Sequence, residues 1–151
     1  MCNAQSSEDR IKEAAKTVFL KKGFAGTTAR DIAEAASMNI ALTNYYFRSK
    51  EKLFLEIFKD LFSHYCQNTL KIFEKPISIR EKLIELIEED FQMMKKEPSL
   101  VLFLMTEIHR DPERLLPELS RFKELLNVTL SNQIKEEIKW GRIRNISVEH
   151  L

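Results

Sequence analysis

Residues 27–53 read TTARDIAEAASMNIALTNYYFRSKEKL, and the fold is decided there. Thr28 stands three residues before Asp31, the spacing of a capping box with Asp in place of the usual Glu or Gln. The helix it opens, Ala29 to Ala36, has barely two turns and cannot be stable alone. After a break at Ser37-Met38, Asn39 can cap a third helix running to about Phe47, and Ser49 a fourth beginning at Lys50. Upstream, Ile11, Ala14, Ala15, Val18 and Phe19 mark an amphipathic first helix over Glu8 to Lys22, with Gly23 placed to end it at positive φ. Three short helices in so little chain must share one small core, built from Val18, Phe19, Phe24, Ile32, Ala33, Met38 and Phe47.

Helical spacing continues beyond this stretch. Leu53, Phe54, Ile57, Phe58, Leu61, Phe62, Tyr65, Cys66, Thr69, Leu70 and Phe73 hold a two-residue stripe long enough to reach into a second core. Pro76 ends that helix, and Ile79, Leu83, Leu86, Ile87, Phe91 and Met94 give the next an inward row. Leu100 to Met105 is apolar on every face, which predicts a helix buried in the second bundle. A last helix from about Glu113 to Trp140 carries Leu115, Leu119, Phe122, Leu126, Leu130, Ile134 and Ile138. The expectation is an all-α chain of about seven helices.

Composition agrees. Of 151 residues, 44% are hydrophobic and 31% charged, with 3 Gly and 4 Pro, too few turn formers for an all-β fold or a Gly-rich phosphate loop. The net charge of +1 is divided unevenly: residues 1–52 carry 9 basic and 6 acidic side chains, so the basic excess sits in the short-helix unit. Cys2 and Cys66 do not make a disulfide framework, no apolar run spans a bilayer, and the polar start lacks an export signal. A soluble cytoplasmic protein is expected.

Two helices joined by a tight turn and braced by a first helix form a helix-turn-helix unit, whose second helix can enter a DNA major groove. The outer face of the third helix, Ile40, Ala41, Leu42, Asn44 and Tyr45, carries no acidic residue to repel phosphate, and Arg30, Arg48 and Lys50 flank it with cations. Backbone N–H groups at the Ser49/Lys50 helix start add a phosphate site.

The runs TTARDIAEAA (27–36) and NYYFRSKEKL (44–53), with Ala14 to Phe19 and Gly23-Phe24 before them, resemble the DNA-binding domain of TetR-type transcriptional regulators. The motif covers about the first 55 residues, and beyond it the likeness is one of helix count, order and length. The resemblance implies an N-terminal three-helix DNA-binding domain over 1–49 and a helical ligand-binding and dimerisation domain over 50–151. It further implies a repressor that binds a pseudo-palindromic operator in double-stranded DNA as a homodimer and responds to a small-molecule effector. Carried over by position, Arg30, Ile40, Ala41, Leu42, Asn44 and Tyr45 would face bases or adjacent backbone. Tyr46 and Lys50 would hold phosphates, while Thr28 would cap the second helix and touch phosphate.

The chain departs from the family pattern at Ser37 and Ala41, where Gly is usual, at Thr43, where an inward aliphatic residue is usual, and at Asn44, where Tyr is frequent. An operator therefore cannot be borrowed from relatives. Family members usually continue with two more helices that form most of the dimer interface. Here the match in helix order runs out near Gly141-Arg142-Ile143, and Ser147 to Leu151 reads like the start of a further helix. A fragment, a natural truncation and a different dimer surface are the alternatives.

In the second domain, Phe62, Tyr65, Phe91, Met94, Phe103, His109 and Phe122 are the candidate effector-binding residues, although helical spacing alone favours core packing for each apolar one. His64, Thr106, Glu107, Asn127 and Gln133 are further polar candidates. His64 and Cys66 lie about 200° apart around their helix, so a metal site is not expected. No nucleophile–base pair or cofactor motif points to an enzyme. The rival reading is a helical protein-interaction adaptor without DNA binding.

Overall fold

The computed structural model describes residues 6–144, and Cys2 and the helix start expected at Ser147 to Leu151 lie outside them. Among the described residues seven helices follow one another: α1 (Ser7–Gly26), α2 (Ala29–Ala35), α3 (Ile40–Tyr46), α4 (Lys50–Phe73), α5 (Ile79–Lys96), α6 (Pro98–Arg110) and α7 (Pro112–Lys139). The described residues contain no strand, as an all-α chain requires.

Short polar motifs set the helix starts. Ser6 with Asp9, Thr28 with Asp31 and Ser78 with Glu81 form reciprocal capping boxes, each satisfying backbone N–H groups that the first turn leaves free. Asn39 Oδ1 accepts from Ala41 N at the start of α3, and Ser49 Oγ accepts from Lys52 N at the start of α4. Gly23 adopts φ 67 and kinks α1, and one further turn reaches Gly26. After α2 the chain closes a Schellman motif: Met38 N donates to Ala33 O, Ser37 N donates to Glu34 O, and Ser37 sits at φ 53.

The chain packs as two compact units. The first unites α1, α2, α3 and α4 as far as Phe62 with the segment Glu97–Glu113, which contains α6. Its core joins Ile11, Ala15, Val18 and Phe19 of α1 to Ile32 and Ala33 of α2 and to Leu53, Phe54, Ile57 and Phe58 of α4. Phe54 touches Phe19, Phe24, Phe58 and Phe103, the last contributed by α6. Lys12 bridges Glu56 and Asp60 at 2.6 and 2.9 Å, an ion-pair link between α1 and α4 whose two carboxylates raise the lysine pKa. Met38, Phe24 and Phe47, expected in the core, are half-buried.

The second unit comprises Ser63–Lys96 and the chain from Arg114 onward, with Ile72, Phe73, Leu115 and Ile134 buried. A lysine takes part in its interior. Lys82 is 5% exposed, and its ammonium donates to Phe73 O at 2.7 Å and to Gln133 Oε1 at 2.6 Å, while Gln133 Nε2 holds Ile77 O at 2.8 Å. That cation caps the negative end of α4 and fixes the turn into α5.

Two expectations from periodicity are corrected. α6 belongs to the first unit and not to the second bundle, and it is not buried on all faces: Val101, Phe103, Leu104 and Glu107 are buried, whereas Leu102 and Met105 are exposed. On α5 the apolar row Leu83, Ile87, Phe91 and Met94 is exposed, and the inward row runs through Ile79, Lys82, Leu86, Asp90 and Met93. α5 carries two rows at helical spacing, and apolarity alone does not say which one packs.

Candidate nucleic-acid interface

α2, the Ala36–Asn39 turn and α3 form the helix-turn-helix expected from the sequence. Thr43 points inward, 3% exposed, and anchors α3 to the first core. The remaining residues of α3 are exposed, with Tyr45 at 76%, Ile40 at 42%, Leu42 at 39% and Tyr46 at 37%, and Ala41 and Asn44 beside them. The rings of Tyr45 and Tyr46 meet edge to face at 5.5 Å, with Tyr45 the more exposed of the two.

The surroundings suit a polyanion. Arg30 and Arg48 are exposed on either side of α3 in sequence. Asp31, the acid nearest the start of α2, is paired with Lys22 at 2.7 Å. That ammonium, together with the N–H and hydroxyl of Thr28, lowers the Asp31 carboxyl to about 2, so its charge is internally compensated. Thr28 is exposed, and its hydroxyl both accepts from Asp31 N and donates to Asp31 Oδ2.

Lys50 is more tightly engaged than its sequence position implies. Its ammonium donates to Phe24 O and Thr27 O, each at 2.9 Å, and lies 4.2 Å from the centroid of the Phe24 ring. One ammonium N–H is not needed for these bonds. From the other direction, the Glu107 carboxylate of α6, 1% exposed, accepts from Phe24 N at 3.0 Å and from Arg110 Nη1 at 3.4 Å. The Gly23–Thr27 turn that delivers the chain into α2 is therefore held on its carbonyls by α4 and on its amide by α6. Sequence reasoning missed this pairing. The signals were a carboxylate on the otherwise apolar inner face of α6 and a glycine whose missing Cβ leaves room for it: a Cβ on Gly23 would lie 2.7 Å from Glu107 Oε1.

The candidate effector residues are divided between the two units. Phe62 and Phe103 belong to the aromatic cluster of the first unit, where Phe58 contacts both, and His109 is exposed. In the second unit Tyr65 and Phe122 meet edge to face at 6.4 Å, while Phe91 and Met94 are exposed. Burial raises the Tyr65 hydroxyl pKa, and the Cys66 thiol is pushed up to about 12 by the same cause. The second unit also holds an apolar cavity of about 430 Å³ lined by Phe73, Ile79, Leu83, Leu119, Phe122, Leu126, Leu130, Ile134, Ile138 and Ile143, with Lys123, Asn127 and Arg144 as its polar members. Of the seven residues named from sequence, Phe122 lines it; of the polar candidates, Asn127 does. Glu107 and Gln133 serve the contacts already described, and His64 and Thr106 are exposed.

A helical chain with an N-terminal helix-turn-helix and an uncharged exposed third helix has the architecture of a helix-turn-helix protein. Residues 11–57 match the family of bacterial regulatory proteins, tetR family. Over 109 residues the chain is 31% identical to the "Probable HTH-type transcriptional regulator YttP" of Bacillus subtilis, covering 70% of this chain and 52% of that protein. It is 32% identical over 104 residues to the HTH-type transcriptional repressor NicS of Pseudomonas putida, covering 69% and 49%. The solved structure of the regulator FadR from Bacillus subtilis in complex with stearoyl-CoA superposes with a TM-score of 0.69 at 20% identity, over 93% of this chain and 76% of that one, a likeness of fold. The family match lies in the N-terminal stretch, residues 11–57, and the chain spans about half the length of the curated relatives it matches.

Proposed function

We propose that this protein is a DNA-binding transcriptional repressor, not an enzyme, in which residues 1–49 form the DNA-binding domain and 50–151 a regulatory domain. The observation that carries the reading is the α2–turn–α3 unit, whose third helix exposes Ile40, Ala41, Leu42, Asn44 and Tyr45 without an acidic side chain. In this reading those residues meet base edges, and Arg30 meets the adjacent backbone. Tyr46 and the spare N–H of Lys50 meet phosphate, and Thr28 keeps the cap of α2 with its hydroxyl turned to the backbone. Two copies bind a pseudo-palindrome with half-sites about one helical turn apart. A small molecule with a large apolar part occupies the 430 Å³ cavity of the second unit. α4, which runs through both units, conveys its presence to the spacing of the reading helices. The proposed setting is the cytoplasm, where the Cys66 thiol stays reduced.

Selection of binding sites from a random duplex pool by the purified chain tests this. Enrichment of a palindrome is the expected result, and an enriched single half-site would keep the reading helix but remove the dimer. No enrichment at low salt would favour the adaptor, for which Arg30→Ala would leave function intact.

A further inference from the structure

α3 presents its exposed side chains as three pairs spaced i, i+4. With about 100° of rotation per residue, Ala41 and Tyr45 lie opposite the buried Thr43. Ile40 and Asn44 form one flank and Leu42 and Tyr46 the other. Over these six positions there is no Arg, Lys, Gln, His, Asp or Glu.

That composition restricts what can be read in a major groove. Guanine is chosen by cationic donors on its O6 and N7, and cytosine by a carboxylate accepting from N4. α3 carries neither group. A carboxamide complements N6 and N7 of adenine, and branched aliphatic side chains complement the C5-methyl of thymine, a group that only thymine projects into the groove. The tyrosine hydroxyls both donate and accept, so they do not select a base by polarity. The cations Arg30 and Arg48 lie outside α3, where charge contributes to affinity on any sequence.

We infer that α3 reads A·T pairs, with thymine methyl groups as the ligands of Ile40 and Leu42 and adenine as the ligand of Asn44. The inference rests on the DNA-binding reading above. Ile40 and Leu42 keep 42% and 39% of their surface exposed in the unbound chain, so apolar area remains for a methyl to cover. Each flank then presents an aliphatic side chain one turn from a polar one, Ile40 beside Asn44 and Leu42 beside Tyr46. Discrimination on both flanks comes from hydrophobic contact as much as from hydrogen bonding.

The test uses the duplex enriched from the random pool as probe and the unaltered chain as reader. Each thymine of a half-site is replaced singly by deoxyuridine, which keeps the pairing edge and the O4 acceptor and removes only the methyl. One or two positions should lose about fourfold in affinity per methyl. At those positions Ile40→Ala or Leu42→Ala should already be weakened on thymine DNA and show no further loss on uridine DNA. Tolerance of uridine at every thymine would overturn the inference while leaving the DNA-binding reading intact. So would an enriched half-site whose discriminating pairs are G·C and lose affinity when guanine is replaced by 7-deazaguanine. Absence of any enriched duplex would overturn both.

Discussion

Ser37 carries the φ of 53 that closes the Schellman motif between α2 and α3, a conformation that glycine adopts without a Cβ penalty. Ser37→Gly should stabilise the protein by about 1 kcal/mol in urea denaturation; an unchanged midpoint would mean that the serine makes compensating contacts. Gly23 is the opposite case. Its φ of 67 and the 2.7 Å approach of Glu107 Oε1 to an added Cβ leave no room for alanine. Gly23→Ala should cost about 2 kcal/mol or more, from strain and from loss of the Phe24 N–H bond to a buried carboxylate. A loss below about 0.5 kcal/mol would show that Glu107 moves aside freely. Lys50→Ala removes the side-chain donor of Thr27 O and leaves Phe24 O with only the Thr27 N–H. It should lower stability by about 1–2 kcal/mol and weaken binding to every duplex alike. Weakened binding with unchanged stability would assign Lys50 to phosphate alone.

At the scale of elements, the helix-turn-helix rests on local chemistry. Thr28→Ala should remove about 1 kcal/mol by opening the cap of α2, and a thermal melt checks it. Asp31 adds a pH dependence. Lys22 and Thr28 lower its carboxyl from 3.8 to about 2, so its contribution is present above the unfolded value and is lost as pH falls from 3.8 toward 2. The stability difference between the parent and Asp31→Asn should accordingly be steady near neutrality and vanish over that acidic window. A difference that instead grows with acid would contradict the sign. Locality also explains what could be read from sequence. Caps at Thr28, Asn39 and Ser49, the glycine at position 23 and the short α2 and α3 depend on neighbours within a few residues, and all were legible. The docking of α6 beside α1 depends on Glu107 meeting Phe24 across 83 positions, and no periodicity carries that information. α5 was misread for a related reason: its packed row includes Lys82, whose burial depends on Phe73 O and Gln133. Phe62, Phe103 and Phe122 are all apolar at helical spacing, yet they lie in different units, so an effector site could not be assembled from pattern alone.

At the scale of the molecule, the net charge of +1 gives no general affinity for a polyanion, and any attraction must come from the local excess in residues 1–52. Arg30 and Arg48 are its exposed members beside α3. A DNA reader built this way neutralises phosphates locally and takes its sequence preference from an uncharged helix, so affinity and specificity separate on mutation. Titration of the selected duplex at two salt concentrations, alongside a scrambled duplex of the same length, tests this most directly. The account predicts that affinity for both falls as salt rises, that the selected site retains its preference, and that Arg30→Ala with Arg48→Ala flattens the salt dependence. Salt-independent binding, or equal affinity for the two duplexes under all conditions, would contradict it.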